Sequence, residues 1–142
     1  MMTPKTLTRT IAIKERVRQW RRAELHEAES VVTNAEEFVE AETLQHAGAV
    51  ALVTREGECS AQDLALRAEQ LERAQLALKR AQARLNTAQE ERETRRSEVG
   101  EATREVRAME TLHARMLVEQ RRAADMREQR DTDEAASRKK PQ

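Results

Sequence analysis

At 142 residues the chain is one domain's worth of polypeptide, and its 26 basic and 26 acidic side chains cancel to a formal charge of zero while leaving 37% of positions ionisable. Trp20 and Phe38 are its aromatic residues, there is no tyrosine, and three glycines and two prolines complete a composition from which a wide globular core is hard to assemble, so an ordinary compact enzyme is not expected. Disordered chains of similar charge are rich in Pro, Gly and Ser, whereas this one is loaded with Ala, Glu, Arg, Gln and Leu, the strong helix formers.

Proline removes a helix donor and clashes with the preceding turn, and here Pro4 and Pro141 stand at the two extremities with none between. Helix one is therefore expected over about residues 6–56. It carries two apolar stripes: Ile13, Val17, Trp20, Val31 and Phe38 on one, and Leu25, Ala28, Val32, Ala35 and Val39 on its neighbour. Trp20 is expected in the seam between helices, weighed against a role as an anchor for a partner. The best interruption follows at Arg55–Asp63, where Gly57 suits a left-handed terminating residue and Ser60 with Asp63 forms a variant capping box. A tight turn at 57–60 is predicted, then helix two over about 60–137 and a basic tail at 138–142. Helix two repeats leucine every seven residues at Leu64, Leu71, Leu78 and Leu85, and after Arg92 the register resumes at Val99 and Val106. Ala74, Ala81, Ala88, Ala102 and Met109 interleave, small enough for close helix approach.

Charge selects the arrangement. Residues 1–22 carry seven positive charges and one negative, and residues 23–63 one positive and ten negative. Residues 65–96 carry eight positive and five negative, and residues 97–134 seven and ten. Folding at Gly57 to Ser60 lays acidic helix one on basic helix two and the basic amino terminus beside acidic residues 97–117, whereas a parallel in-register dimer sets like charges together. The expected fold is all-α: a long antiparallel two-helix coiled-coil hairpin, a single domain over residues 1–142, with helix two overhanging the amino terminus by some twenty residues.

Such a rod offers little chemistry. Gly48, Gly57 and Gly100 are too scattered to cradle phosphate, and His26, His46 and His113 lack metal-ligand spacing. Cys59 has no adjacent histidine to activate it, and a two-helix hairpin has no water-excluding pocket in which a carboxylate could do acid–base work. No catalytic, cofactor-binding or metal residues are assigned, and no cofactor. Zero net charge and two aromatic residues argue against nucleic acid as a partner. With no apolar run of about 18 residues, no secretory leader and a single cysteine, a soluble, cytoplasmic protein without membrane insertion is expected.

Two very long helices in about 140 residues, a turn near the middle and both termini at one end resemble the FliJ/YscO family of the type III export apparatus. Two segments sharpen the likeness. Glu58-Cys59-Ser60-Ala61-Gln62-Asp63-Leu64 is similar to the tip of YscO-type members, and Arg127 to Lys139, with Asp133-Glu134-Ala135-Ala136 and a basic end, is similar to the family's closing segment. The chain has fewer aromatics than flagellar members, so flagellar and injectisome systems both stay open. The resemblance implies a non-enzymatic central stalk. Its partners would be the hexameric export ATPase at the end carrying both termini, the export gate protein of the inner membrane at the other, and for some members export chaperones.

On that reading Arg16, Arg18, Arg21 and Arg22 with Arg138, Lys139 and Lys140 are candidates for a positive collar facing the ATPase ring, weighed against a solvated basic face or pairing with the acidic stretch of helix two. Leu66 and Leu76, off the leucine stripe near the tip, are candidates for the gate-facing contact, weighed against ordinary surface leucines. Placement at the cytoplasmic side of the inner-membrane apparatus follows. The competing reading is a coiled-coil chaperone or scaffolding protein with no part in energy coupling.

Overall fold

The computed structural model describes residues 2–139 and contains two helices, α1 over Pro4–Thr54 (51 residues) and α2 over Ala61–Lys139 (79 residues), with no strand among the described residues. The chain is an all-α helical hairpin. Helix α1 starts at Pro4, two residues ahead of the expected position, because Thr3 caps it: its hydroxyl accepts from the Thr6 N–H at 3.2 Å and its carbonyl from Leu7 N–H at 2.9 Å. Proline suits the first helical position, where its missing donor has no partner to lose. At the other end Arg138 and Lys139 continue α2 rather than beginning a tail, since cations in the last turn complement the negative end of the helix dipole. Lys140 lies outside the described residues.

The connection is longer than the predicted four residues: Arg55 to Ser60 are all non-helical. Gly57 takes φ +142°, but it sits mid-turn, beyond the end of α1 at Thr54, and so is the corner of the connection rather than the helix terminator. A Cβ placed there meets nothing within 4 Å, so space is not the constraint; the backbone conformation is. Gly57→Ala is therefore expected to cost about 1–3 kcal/mol in urea unfolding. Ser60 then caps α2, its hydroxyl accepting from the Asp63 N–H at 3.1 Å, and Asp63 puts its charge in the positive first turn.

The chain divides into two packed units, one made of residues up to Trp20 with those from Gly100 onward, the other of Arg21–Val99. In the second, Arg21 meets Glu98, Glu24 meets Arg95, and Arg67 donates to the Leu52 carbonyl at 3.2 Å. In each pair the two residue numbers add to 119. Burial on α2 recurs without a break at Leu71, Ala74, Leu78, Ala81, Leu85, Ala88, Arg92, Arg95 and Val99, the three-and-four spacing of a coiled-coil seam. The seam of α1 in this unit runs through Leu25, Ala28, Val32, Ala35 and Val39, then half-buried Glu42 and His46, to Ala49 nearest the turn. Leu64 was expected in the seam but is 50% exposed. From Val50 to Leu66 every residue except half-buried Cys59 is exposed.

The first unit is centred on Leu7 and Val106, both fully buried, with Ala102 beside Val106 on the α2 stripe. Lys14 pairs with Glu105 at 2.8 Å. Thr8 gives its proton to the Pro4 carbonyl at 2.8 Å, so at the 3.3 Å contact with His113 the ring Nε2–H is the donor. Beyond Met116, every described residue of α2 from Leu117 to Lys139 is exposed, an overhang on the order of 35 Å.

Candidate interaction surfaces

The two α1 stripes are not equivalent. Leu25, Ala28, Val32, Ala35 and Val39 are buried or half-buried, while Ile13 (61% exposed), Val17, Trp20 (60%), Val31 and Phe38 face outward. Trp20 thus lies on the flank and not in the expected seam. In the second unit the reason is steric: α2 presents Ala74, Ala81 and Ala88 at alternate seam positions, and Ala28 and Ala35 fit against such a surface where the Phe38 ring would not. As the chain's one tryptophan, Trp20 reports its own placement directly. Its emission is expected near the water-exposed limit and readily quenched by acrylamide; a blue-shifted, protected signal would return it to the seam.

The collar candidates separate by heptad position. Arg16 and Arg22 are exposed, whereas Arg18 and Arg21 are half-buried on the seam stripe. Arg18 donates to Glu15, and Arg21 pairs with Glu24 and Glu98, each at 3.2 Å. Within the first unit Lys14 is level with Glu105, which places Arg16 beside the segment near Thr103 and thus on the order of 50 Å along α2 from exposed Arg138 and Lys139. Arg16 and the basic end of α2 therefore do not form one patch. Leu66 (54% exposed) and Leu76 (48%) both face solvent in the second unit.

The second unit holds two features that the composition did not announce. One is an open groove of about 750 Å³ along the seam, with Val31 and Phe38 from α1 and Ala81 and Ala88 from α2, and with the Arg84 guanidinium 5.9 Å from the centroid of the Phe38 ring. The other is a charged layer. Arg95 reaches Glu91 at 2.9 Å on its own helix, Glu98 at 3.2 Å, and Glu24 across the seam at 3.0 Å. The hydrogen bond to Glu98 raises the Arg95 guanidinium above its ordinary value, opposed by partial desolvation and helped by the charges of Glu24, Glu91 and Glu98. A raised cation is stabilising below its unfolded value and loses that contribution only as pH rises through the higher folded one, so Arg95 stays charged over any working range. Arg92 is less well served: its Nε is buried without a hydrogen-bond partner, with the Glu93 carboxylate 3.9 Å away. Continuing the leucine–alanine spacing beyond Leu85 and Ala88 lands on Arg92 and Arg95, the signal by which this layer is readable in the sequence.

Among the described residues no three His, Cys, Asp or Glu side chains come together as a metal-binding group, and no helix is long and apolar enough to cross a membrane. The Flagellar FliJ protein family model matches residues 4–140, nearly the whole chain. The chain belongs to the FliJ family, a family of flagellar and type III export components. No curated protein and no solved structure matches it.

Proposed function

We propose that the chain is a stalk that links the hexameric export ATPase to the inner-membrane export gate and couples or stimulates ATP hydrolysis without chemistry of its own, working in the cytoplasm at the face of the export apparatus. Family membership over residues 4–140 carries this reading. The exposed overhang of α2 supports the assignment of its end to the ATPase: a lone helix exposed on every side, closed by Arg138 and Lys139, suits entry into a ring lined by acidic loops. Arg16 and Arg22 remain available to the same partner, while Arg18 and Arg21 contribute through the rod they help to hold. Exposed Leu66 and Leu76 are assigned to the gate-facing tip, where apolar contact area is needed. Export chaperones are further candidate partners.

The test is phosphate release by the purified cognate export ATPase with increasing amounts of this chain. A saturable rise in rate is expected, together with a complex on gel filtration. Neither complex nor stimulation would contradict the stalk reading, and a complex without stimulation would favour a scaffolding role.

A further inference from the structure

The two flanks of the helix pair in the second unit differ in kind. One carries Glu29, Glu36 and Thr43 from α1 and Gln75, Gln82 and Gln89 from α2, polar throughout. The other holds the open groove, where Val31 (51% exposed) and Phe38 (46%) stand one heptad apart above buried Ala81 and Ala88. The α2 wall on that flank is charged in two blocks: Arg73, Arg80 and Arg84 toward the turn, Glu91 and Glu98 away from it. Arg80 is exposed and joins no ion pair among the described residues, and Glu91 is half-exposed beside Arg95.

This order makes the flank complementary to itself. An antiparallel copy laid on the groove, related by a two-fold axis crossing it midway between Val31 and Phe38, sets each Phe38 on the Val31 of the other copy. On α2 one axis serves three further pairs: Arg80 meets Glu91, Arg73 meets Glu98, and Arg84 meets Thr87, whose hydroxyl donates to the Ala83 carbonyl and keeps acceptor capacity for the guanidinium. Through the alignment that makes Glu24 level with Arg95, the α1 and α2 midpoints fall within one residue of each other, about 1.5 Å along the axis. A parallel copy turned about the long axis instead sets Glu91 beside Glu27 and leaves Arg80 against Phe38 and Ala41, with no carboxylate to meet.

We propose that a second copy of this chain occupies the groove, antiparallel and two-fold related, with Val31 and Phe38 at the centre and Arg80–Glu91 and Arg73–Glu98 pairs between copies at the rim. Two helices of about 10 Å diameter, paired over the roughly 40 Å from Arg73 to Glu98, present on the order of 800 Å² per copy, the size of a standard specific interface. Its charge pairs lie at the exposed rim, where each contributes little, so the dimer is weak and reversible.

Sedimentation velocity on the full chain between roughly 1 and 300 µM is expected to show reversible dimerisation with a Kd of about 1–100 µM. Phe38→Ala removes the central ring from both copies and is expected to weaken the dimer about tenfold. Arg80→Glu sets a carboxylate against Glu91 twice per dimer and is expected to weaken it by a similar factor at low salt, with Glu91→Arg added in the same chain restoring it. All three positions are exposed, so ellipticity at 222 nm should stay unchanged. With one spin label per chain in a Cys59→Ser background, any dipolar distance is between copies: labels replacing exposed Glu37 are expected at roughly 25 Å and labels replacing exposed Gln75 at roughly 40 Å, since only the first lies near the axis. A chain monomeric throughout the range, the result if the groove seats a helix of another protein instead, overturns the proposal. So does a dimer that neither Phe38→Ala nor Arg80→Glu weakens, or one in which the Glu37 and Gln75 distances are equal.

Discussion

Val106→Asp is expected to detach the amino-terminal part of α1 from α2 and leave Arg21–Val99 folded. Val106 is fully buried, and with Leu7 it is one of the two largest side chains wholly removed from water. A carboxylate at that site has no cation directed at it: Lys14, the nearest seam cation on α1, is already committed to Glu105 at 2.8 Å. Leaving an unpaired charge in such a place costs about 3–5 kcal/mol, more than a short two-helix segment can lose. Hydrogen exchange should show residues 4–20 losing protection while amides flanking Val32 and Ala81 keep theirs. Leu7→Ala, which opens a cavity without burying charge, is expected to act in the same direction at about 2–3 kcal/mol. Protection of residues 4–20 unchanged by Val106→Asp would mean that this core does not hold the unit together.

Removing residues 118–142 is expected to abolish stimulation of the export ATPase while leaving the melting of the remainder unchanged within about 0.5 kcal/mol. The two halves of that expectation rest on one observation: every described residue past Met116 is exposed, so nothing in the hairpin depends on the overhang. What it presents to a partner is a helix with Arg121, Arg122, Arg127 and Arg130 among Glu119, Asp125, Glu128 and Asp131, ending on Arg138 and Lys139. The native ring-contact reading predicts loss of activation with retained fold, read by phosphate release and by thermal unfolding followed at 222 nm. A truncated chain that still activates fully would move the ATPase contact to Arg16, Arg22 or the flank of α1.

The helices and the place of the turn were legible because they depend on local chemistry: proline confined to the ends, Ser60 capping α2, and an unbroken supply of helix formers. The α2 seam was legible too, since Leu71, Leu78, Leu85, Val99 and Val106 mark it even across an interruption. The seam of α1 was not, and Phe38 shows why. Two adjacent stripes compete on that helix, and hydrophobicity alone favours the larger residues, whereas the winner is the stripe whose alanines match the alanines opposite. Complementarity between two surfaces is not a property of either sequence segment alone. The charged layer was hidden for a related reason: Arg18 and Arg21 read as partner-binding charge, and Arg92 only as an interruption of the leucine repeat. Charge-block complementarity anticipated the pairs Lys14–Glu105, Arg21–Glu98 and Glu24–Arg95. It did not anticipate that Arg84 would lie over Phe38, or that Arg73 would pair with Glu69 along its own helix.

Everything proposed for this chain depends on α1 and α2 pairing within a single molecule. Spin labels replacing exposed Glu40 and Lys79, whose numbers also add to 119, test it in a Cys59→Ser background. With helix axes about 8–10 Å apart, the labels are expected within roughly 20 Å of each other. That short distance should persist undiminished when labelled chain is refolded with a large excess of unlabelled chain. Its disappearance on such dilution would show that the helices pair between molecules, and would contradict the hairpin on which the stalk is built.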